Sequence, residues 1–314
     1  MMPTETPWPE LDWAAWRETA IGLQLRTQII GKVRLALTPW LNHSWHVPFY
    51  VSARGLTTSA IPVGDRILEI EFDLLHDRVI FMTSDGRSRG IGLEPGSIAD
   101  FHKTVIACLT ELDIPARFDG TPSEMADVPP FAQDTTERPY NADASRAFWR
   151  ALIQVSRVFG QFRTGFLGKA SPVHFFWGSF DLAATRFSGR TAPTHPGGFP
   201  GLPDPVTRDA YSHEEASVGF WPGSDAWPHA AFYAYAYPAP DGYAEARISP
   251  AGAEWNADLG EFLLPYDAVR TAPDPDAALL GFCQSTYDAA AALGQWDRAA
   301  LECATGRVGI PRSA

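Results

Sequence analysis

The apolar positions of the chain fall into short segments whose order is repeated. LDWAAWRETAIG, led in by Thr6, Pro7 and Pro9, has the spacing of a short helix. It runs into LQLRTQIIGKVR, where Gln24, Arg26, Gln28, Lys32 and Arg34 are separated by even numbers and predict the polar face of a strand. NHSWHVPFYVSARG reads as a further strand, with Trp45, Val47, Phe49 and Val51 opposite His46, Tyr50, Ser52 and Arg54. LEIEFDLLHDRVIFMTSDG predicts two strands around a turn at His76 and Asp77. SIADFHKTVIACLTEL predicts a helix capped by Ser97, with Ile98, Phe101, Val105 and Leu112 on one face.

The same order returns. ADASRAFWRALIQVSRVFG places Phe148, Leu152, Val155 and Phe159 at helical spacing and runs into RTGFLGK, an echo of RTQIIGK. A strand through that echo puts Gln161, Arg163 and Lys169 on one face. VHFFWGSFDLAATRFSG reads as an aromatic strand with Trp177, Ser179, Asp181 and Thr185 together. FYAYAYP carries Tyr233, Tyr235 and Tyr237 on one face, and DAALLGFCQSTYDAAAAL is a helix with Asp274 as N-cap and Pro275 at its first position. His43 faces His174 in this pairing, Trp45 lies near Trp177, and Arg54 near Arg186. The expectation is an α+β fold made by tandem duplication, each half helix, mostly antiparallel sheet, helix, the halves related by a pseudo-two-fold. Residues 1–114 form the first repeat, 115–143 a Pro-rich acidic linker, and 144–314 the second repeat with an insertion at about 189–228. A long Pro/Gly segment with Tyr, Trp and Phe suits a functional loop.

Composition narrows the classes. At 45% hydrophobic and 20% charged, the chain can bury a core. A net charge of −12 speaks against nucleic acid and anionic lipid as partners, and no apolar run approaches a membrane span. The acidic, Pro-rich start does not read as a signal peptide, so a cytoplasmic location is expected. Cys108, Cys283 and Cys303 form no CxxC pair and read as free thiols.

The candidate chemistry lies in the polar positions. His46 and Tyr50 could work on a pocket wall. His213 beside Glu214 offers a base with an orienting carboxylate, and Asp181 among aromatics must be hydrogen-bonded or functional. Arg26, Lys32, Arg54, Arg163, Lys169 and Arg186 could orient an anion, and Trp45, Trp177 and Tyr211 could line its pocket. His43 and His174 are an alternative metal pair, although no HExxH motif accompanies them. GxGxxG, the P-loop and GxSxG are absent.

The blocks TQIIGKVRLALTPWLNHSWHVPFYVSARGLTTS, GKASPVHFFWGSFDLAATRFSGR, AYSHEEASVGFWPG and AFYAYAYP resemble a bacterial family catalogued as domain of unknown function 5996. The resemblance runs over nearly the whole chain and implies no catalytic assignment. From the residues, the expected function is a small-molecule enzyme or ligand-binding protein with an aromatic, His- and Arg-lined pocket between the repeats, for an anionic ligand. A histidine-based metalloenzyme and a protein-interaction module are the alternatives. No cofactor is indicated.

Overall fold

Asp12 accepts the Ala14 N–H at 3.1 Å and starts helix α1 (Trp13–Leu37), a single rod of 25 residues. It therefore contains the whole of RTQIIGK, which sequence alternation assigned to a strand. The cause is burial on every side. Leu23, Leu25, Ile29, Ile30 and Val33 are buried, and so are Arg26, Gln28, Lys32 and Arg34, so no polar stripe marks the helix. In a helix, Arg26 and Lys32 point roughly 120° apart instead of sharing a face, while Gln28 and Lys32 align. RTGFLGK differs again. Arg163 and Thr164 end helix α3 (Ala142–Thr164), Gly165 stands at its C-cap, and the remaining residues lie outside any helix or strand, with a bridge at Phe166 and a bend at Gly168.

The computed structural model describes residues 6–115, 117–125, 127–225 and 227–310. After α1 come a 3-10 turn (Asn42–Ser44) and strands β1 (Tyr50–Val51), β2 (Gly55–Thr57), β3 (Ile61–Val63), β4 (Arg66–Asp73), β5 (Arg78–Thr83) and β6 (Ser88–Gly92), then helix α2 (Ile98–Glu111). Following α3 are β7 (His174–Phe176), β8 (Asp181–Thr191), α4 (Asp204–Ala210), β9 (His213–Trp221), β10 (Ala231–Tyr237), β11 (Glu254–Asn256) and β12 (Glu261–Pro265). Helices α5 (Tyr266–Arg270), α6 (Pro275–Leu293) and α7 (Arg298–Leu301) close the described chain. Ser97 and Asp274 cap α2 and α6 as expected, and the β4–β5 turn falls at His76 and Asp77.

Helices and antiparallel sheet are thus mixed in an α+β fold with two six-stranded sheets. The first has the order β1-β2-β4-β5-β6, with β3 also on β4; the second runs β11-β12-β10-β9-β8-β7. Their edges meet where Phe49 and Phe175 exchange backbone hydrogen bonds of 2.8 and 2.9 Å. Helix α1 packs on α2, and α3 on α6 and β8, so each sheet buries its apolar face under helices.

Two strand expectations change at this joint, and the extent of the insertion changes with them. NHSWHVPFYVSARG contains the 3-10 turn and only two strand residues before Ser52, so His46, Tyr50, Ser52 and Arg54 do not form one row. VHFFWGSFDLAATRFSG is a hairpin, with Trp177 in its turn and not beside Asp181 on a strand face. The expected insertion is partly core: β9 lies between β8 and β10, and only about residues 192–212 form an added loop with α4. Between the halves, Phe131 and Asp134 are buried beneath α2.

Candidate functional site

Strand register collects polar side chains on one face of the second sheet. Asp181, Ala183, Thr185 and Phe187 of β8 lie beside Glu215, Ser217 and Gly219 of β9, which lie beside Tyr233, Tyr235 and Tyr237 of β10. The other face carries Leu182, Ala184, Val218, Phe220, Phe232 and Ala234 toward α3 and α6. Gly219 is required on the polar face, because a Cβ there would penetrate the Tyr233 ring lying across it. That ring carries the Tyr233 hydroxyl to Asp181, which also accepts from Ser179. Tyr235 donates to Glu215 Oε1 at 3.3 Å, and the Thr185 and Ser217 hydroxyls pair at 2.9 Å.

Asp181 and Glu215 are only 4% and 5% exposed. Burial pushes the Asp181 carboxyl up to about 6 and the Glu215 carboxyl to about 8. Glu261, at the start of β12, rises to about 8 through burial and the charge of Asp181, and its Oε2 meets no donor among the described residues. Glu124 stands at the exposed lip with its carboxyl against Gly178, and burial of that carboxyl together with Asp181 raises its pKa as well.

Two segments cover this face. Residues 119–125 are fastened to α1: Gln28 Nε2 donates to Ser123 O at 2.9 Å, Ser123 N–H donates to Gln28 Oε1 at 2.7 Å, and Lys32 Nζ donates to Ser123 Oγ at 3.0 Å. Lys32 also lies 3.6 Å from Asp119. Residues 195–211 lay Tyr211 against Tyr235, with His195 stacked on Tyr211 at 4.7 Å. The segments touch where Glu124 N–H donates to Gly201 O at 3.3 Å. In the motif that opens α1, Gly31 makes room for the Trp177 indole, whose Nε1 donates to Val47 O at 2.9 Å.

A basic corner completes the site where the two sheets join. His174, on the same face as Asp181, is 1% exposed and is ringed by Trp45, Tyr50 and Phe176 at 5.6 to 5.9 Å between centroids. Burial, with the charges of Arg34 and Arg163, lowers its pKa to about 3, so the ring is neutral at pH 7. Arg34 is 6% exposed; its Nε donates to His46 O at 2.7 Å, and its guanidinium lies over Tyr50. Among the described residues, Arg34 Nη1, Arg163 Nε and both ring nitrogens of His174 meet no hydrogen-bond partner.

Near this corner, Lys169 donates to His43 Nε2 at 2.6 Å and lies over the rings of Trp45 and Phe187. The His43 Nδ1 hydrogen goes to Ala210 O at 2.8 Å, its backbone N–H to Asp209 Oδ2 at 2.8 Å, and its ring is 5.6 Å from that of His213. Burial lowers the His43 pKa, and Lys169 adds to this.

The structure thus brings Asp181, Tyr50, Trp45, Tyr211, Lys32, Arg163, Lys169, His43, His174 and His213 to or around one covered face. It does not bring together the others. Glu214 points away from His213 by strand alternation and binds Ser188 and Arg190 at 2.8 Å. The His213 ring instead meets Ser212 Oγ at 3.0 Å. His46 is a packing residue, stacked on Trp40, with Nδ1 accepting from Leu41 N–H. Arg26 faces Glu94 O and Phe101 in the first half. Arg54 is bound to Asp73 at 2.5 Å and to His76. Arg186 lies on the opposite face, caged by Phe162, Phe166 and Tyr287. Trp177 seals the hairpin turn onto Gly31.

For the metal alternative, both His43 nitrogens are engaged, and no group of three metal-ligating side chains occurs among the described residues. Sequence reasoning missed Glu261, Glu124 and Arg34 as site residues, and of the pair Glu214 and Glu215 beside His213 it chose Glu214. Strand parity could have found Glu215, since a strand through His213 turns Glu215, not Glu214, to the same side.

The fold and its covered site define a two-sheet α+β protein with a buried polar face. The chain belongs to the family of unknown function DUF5996, whose model matches residues 8–303. No curated protein and no solved structure matches it. Among the described residues, no helix is long and apolar enough to cross a membrane.

Proposed function

We propose that this protein binds a small molecule bearing an anionic group on the covered polar face of the second sheet, and acts on it by acid–base chemistry. The observation that carries this reading is the set of buried polar atoms at the joint, Arg34 Nη1, Arg163 Nε and the His174 ring nitrogens, which have no hydrogen-bond partner among the described residues. A buried N–H without an acceptor is costly, and a bound carboxylate or phosphate removes that cost. The chemistry would fall to Asp181, whose pKa near 6 lets it take or give a proton close to neutrality, with Tyr233 as its hydrogen-bonded partner. The duplication belongs to this reading. In its support, each half runs from a long helix through antiparallel strands to a helix, and the antiparallel Phe49–Phe175 bridge joins the two sheet edges. The ligand would then sit where two once-equivalent sheet edges meet.

The test is thermal unfolding of the full chain with succinate, phosphate or sulfate in the millimolar range. A ligand at a hundred times its Kd adds about 2.7 kcal/mol, which raises the Tm by several degrees (roughly 2–4 °C per kcal/mol). That rise should disappear in Arg34→Met and His174→Phe. A rise that survives both substitutions, or no rise with any of the three anions, defeats the reading.

A further inference from the structure

Only three of the 25 basic residues are lysine: Lys32, Lys103 and Lys169. An arginine keeps its proton near neutrality, whereas a lysine amine can lose it and become a nucleophile. The three amines stand in different surroundings. Lys32 is buried against Ser123 and Asp119, and Lys103 lies in the open on α2. Lys169 is exposed as well, but its amine turns back onto the protein. It lies 2.6 Å from His43 Nε2 and over the rings of Trp45 and Phe187, 5.0 and 4.7 Å from their centroids.

Exposed arginines of this protein are tied to carboxylates, as Arg157 is to Asp276 and Arg190 to Glu214. Among the described residues, no carboxylate lies within ion-pair range of the Lys169 amine, and its hydrogen-bond partner is a histidine. That histidine is firmly placed. His43 is 5% exposed, Asp209 Oδ2 accepts its backbone N–H, and Ala210 O accepts from Nδ1, so the Nε2 lone pair is left facing the amine. The backbone is strained to hold it there: φ is +57° at His43 and +55° at Ser44, left-handed values that residues with a Cβ seldom adopt. Lys169 is fixed in turn by its carbonyl, which accepts the Phe187 N–H at 3.0 Å.

We propose that Lys169 is a nucleophile that forms an imine with a small aldehyde, with His43 carrying the protons. The Lys169 ammonium passes one proton to His43 Nε2, and the freed amine bonds to the aldehyde carbon as the C=O pair moves to oxygen. His43 delivers that proton, and then a second one taken from the nitrogen, to the oxygen, which leaves as water. The third proton stays on the iminium nitrogen, so atoms and charge balance without an oxidant or reductant. An apolar substituent of the aldehyde would lie on the rings of Trp45 and Phe187. Burial lowers the Lys169 pKa, which favours the free amine. The titratable groups around the pair are Asp209 before the turn into β9, and His213 and Glu215 of β9. The proposal does not rest on the anion site, whose readout is Tm and not a covalent adduct.

Reductive alkylation of the full chain by acetaldehyde and cyanoborohydride tests it, followed residue by residue by peptide mass spectrometry. Cyanoborohydride supplies the hydride that converts the imine to a stable secondary amine, and Lys103 is the internal control. At pH 7, Lys169 should react at least ten-fold faster than Lys103, and its rate should reach half its maximum at a lower pH. His43→Phe keeps a ring against Phe187 but removes Nε2; Lys169 should then slow at least five-fold while Lys103 is unchanged. If that variant does not fold, the rates and pH profiles of the two lysines in the parent chain decide alone. A Lys169 rate less than ten-fold above that of Lys103, or a pH profile that coincides with it, overturns the proposal. So does a folded His43→Phe variant in which Lys169 reacts as fast as in the parent.

Discussion

The outward faces of the two sheets are built from the same alphabet and end in opposite environments. On the first sheet, Glu69 accepts from Thr57 at 2.7 Å and Glu71 from Ser52 at 2.6 Å, and both are half-exposed beside Ile80, Met82 and the exposed Ile67. On the second, Asp181, Glu215 and Ser217 are buried with Tyr233 under residues 119–125 and 195–211. A carboxylate bonded to a hydroxyl is unremarkable in water and expensive when covered. The covering segments, not the strands, make the difference. Where a protein buries carboxyls without a cationic partner, a binding role is the physical reason most worth testing.

That comparison can be broken at the two glycines Gly219 and Gly90, one on each face. Gly219→Val would drive its side chain into the Tyr233 ring and should cost about 3 kcal/mol in urea unfolding, as an overpacked interior does. Gly90→Val, on the open face with nothing closer than Val79 O at 3.9 Å, should change stability by less than about 0.5 kcal/mol. Equal costs at the two positions would mean that the covered face is no tighter than the open one.

A smaller effect comes from Glu215. Its folded pKa, near 8, lies above the value of 4.5 for a free carboxyl, so the folded state binds the extra proton. The stability this gives is fully present below about pH 4.5 and is lost as pH rises toward 8, at no more than about 1.4 kcal/mol per pH unit. Glu215→Gln should remove that loss, so its stability relative to the parent should improve by about 2 kcal/mol between pH 5 and pH 8. A difference that stays flat with pH would show that Glu215 is ionised in the folded protein. The smallest change is expected at Glu71→Gln on the open face, within about 0.5 kcal/mol at pH 7.

Much of the frame was legible in the chain. Ser97 and Asp274 marked helix starts because a side-chain acceptor must meet the first free N–H groups, and the spacing of Phe148, Leu152, Val155 and Phe159 marked α3 because one side of it is buried. Tyr233, Tyr235 and Tyr237 were placed on one face by strand parity alone. The second half of helix α1 was not legible, since a stretch buried all round loses the polar stripe that announces a helix, and its Gln24, Arg26 and Gln28 imitate a strand. The pairing of His213 with Glu214 failed for the opposite reason: sequence neighbours in a strand point apart.

The sequence by itself determined the mixture of helix and antiparallel strand, the starts of the four long helices, and the family to which the chain belongs. Those follow from local hydrogen-bonding demand and from the period of the apolar positions. Only the tertiary structure decided that Arg34, Tyr50 and His174 share a corner, and that Arg26, Arg54 and Arg186 stand elsewhere. These outcomes depend on which sheet edges meet and which segments fold over a face. Long-range packing sets both, and no periodicity in the chain records them.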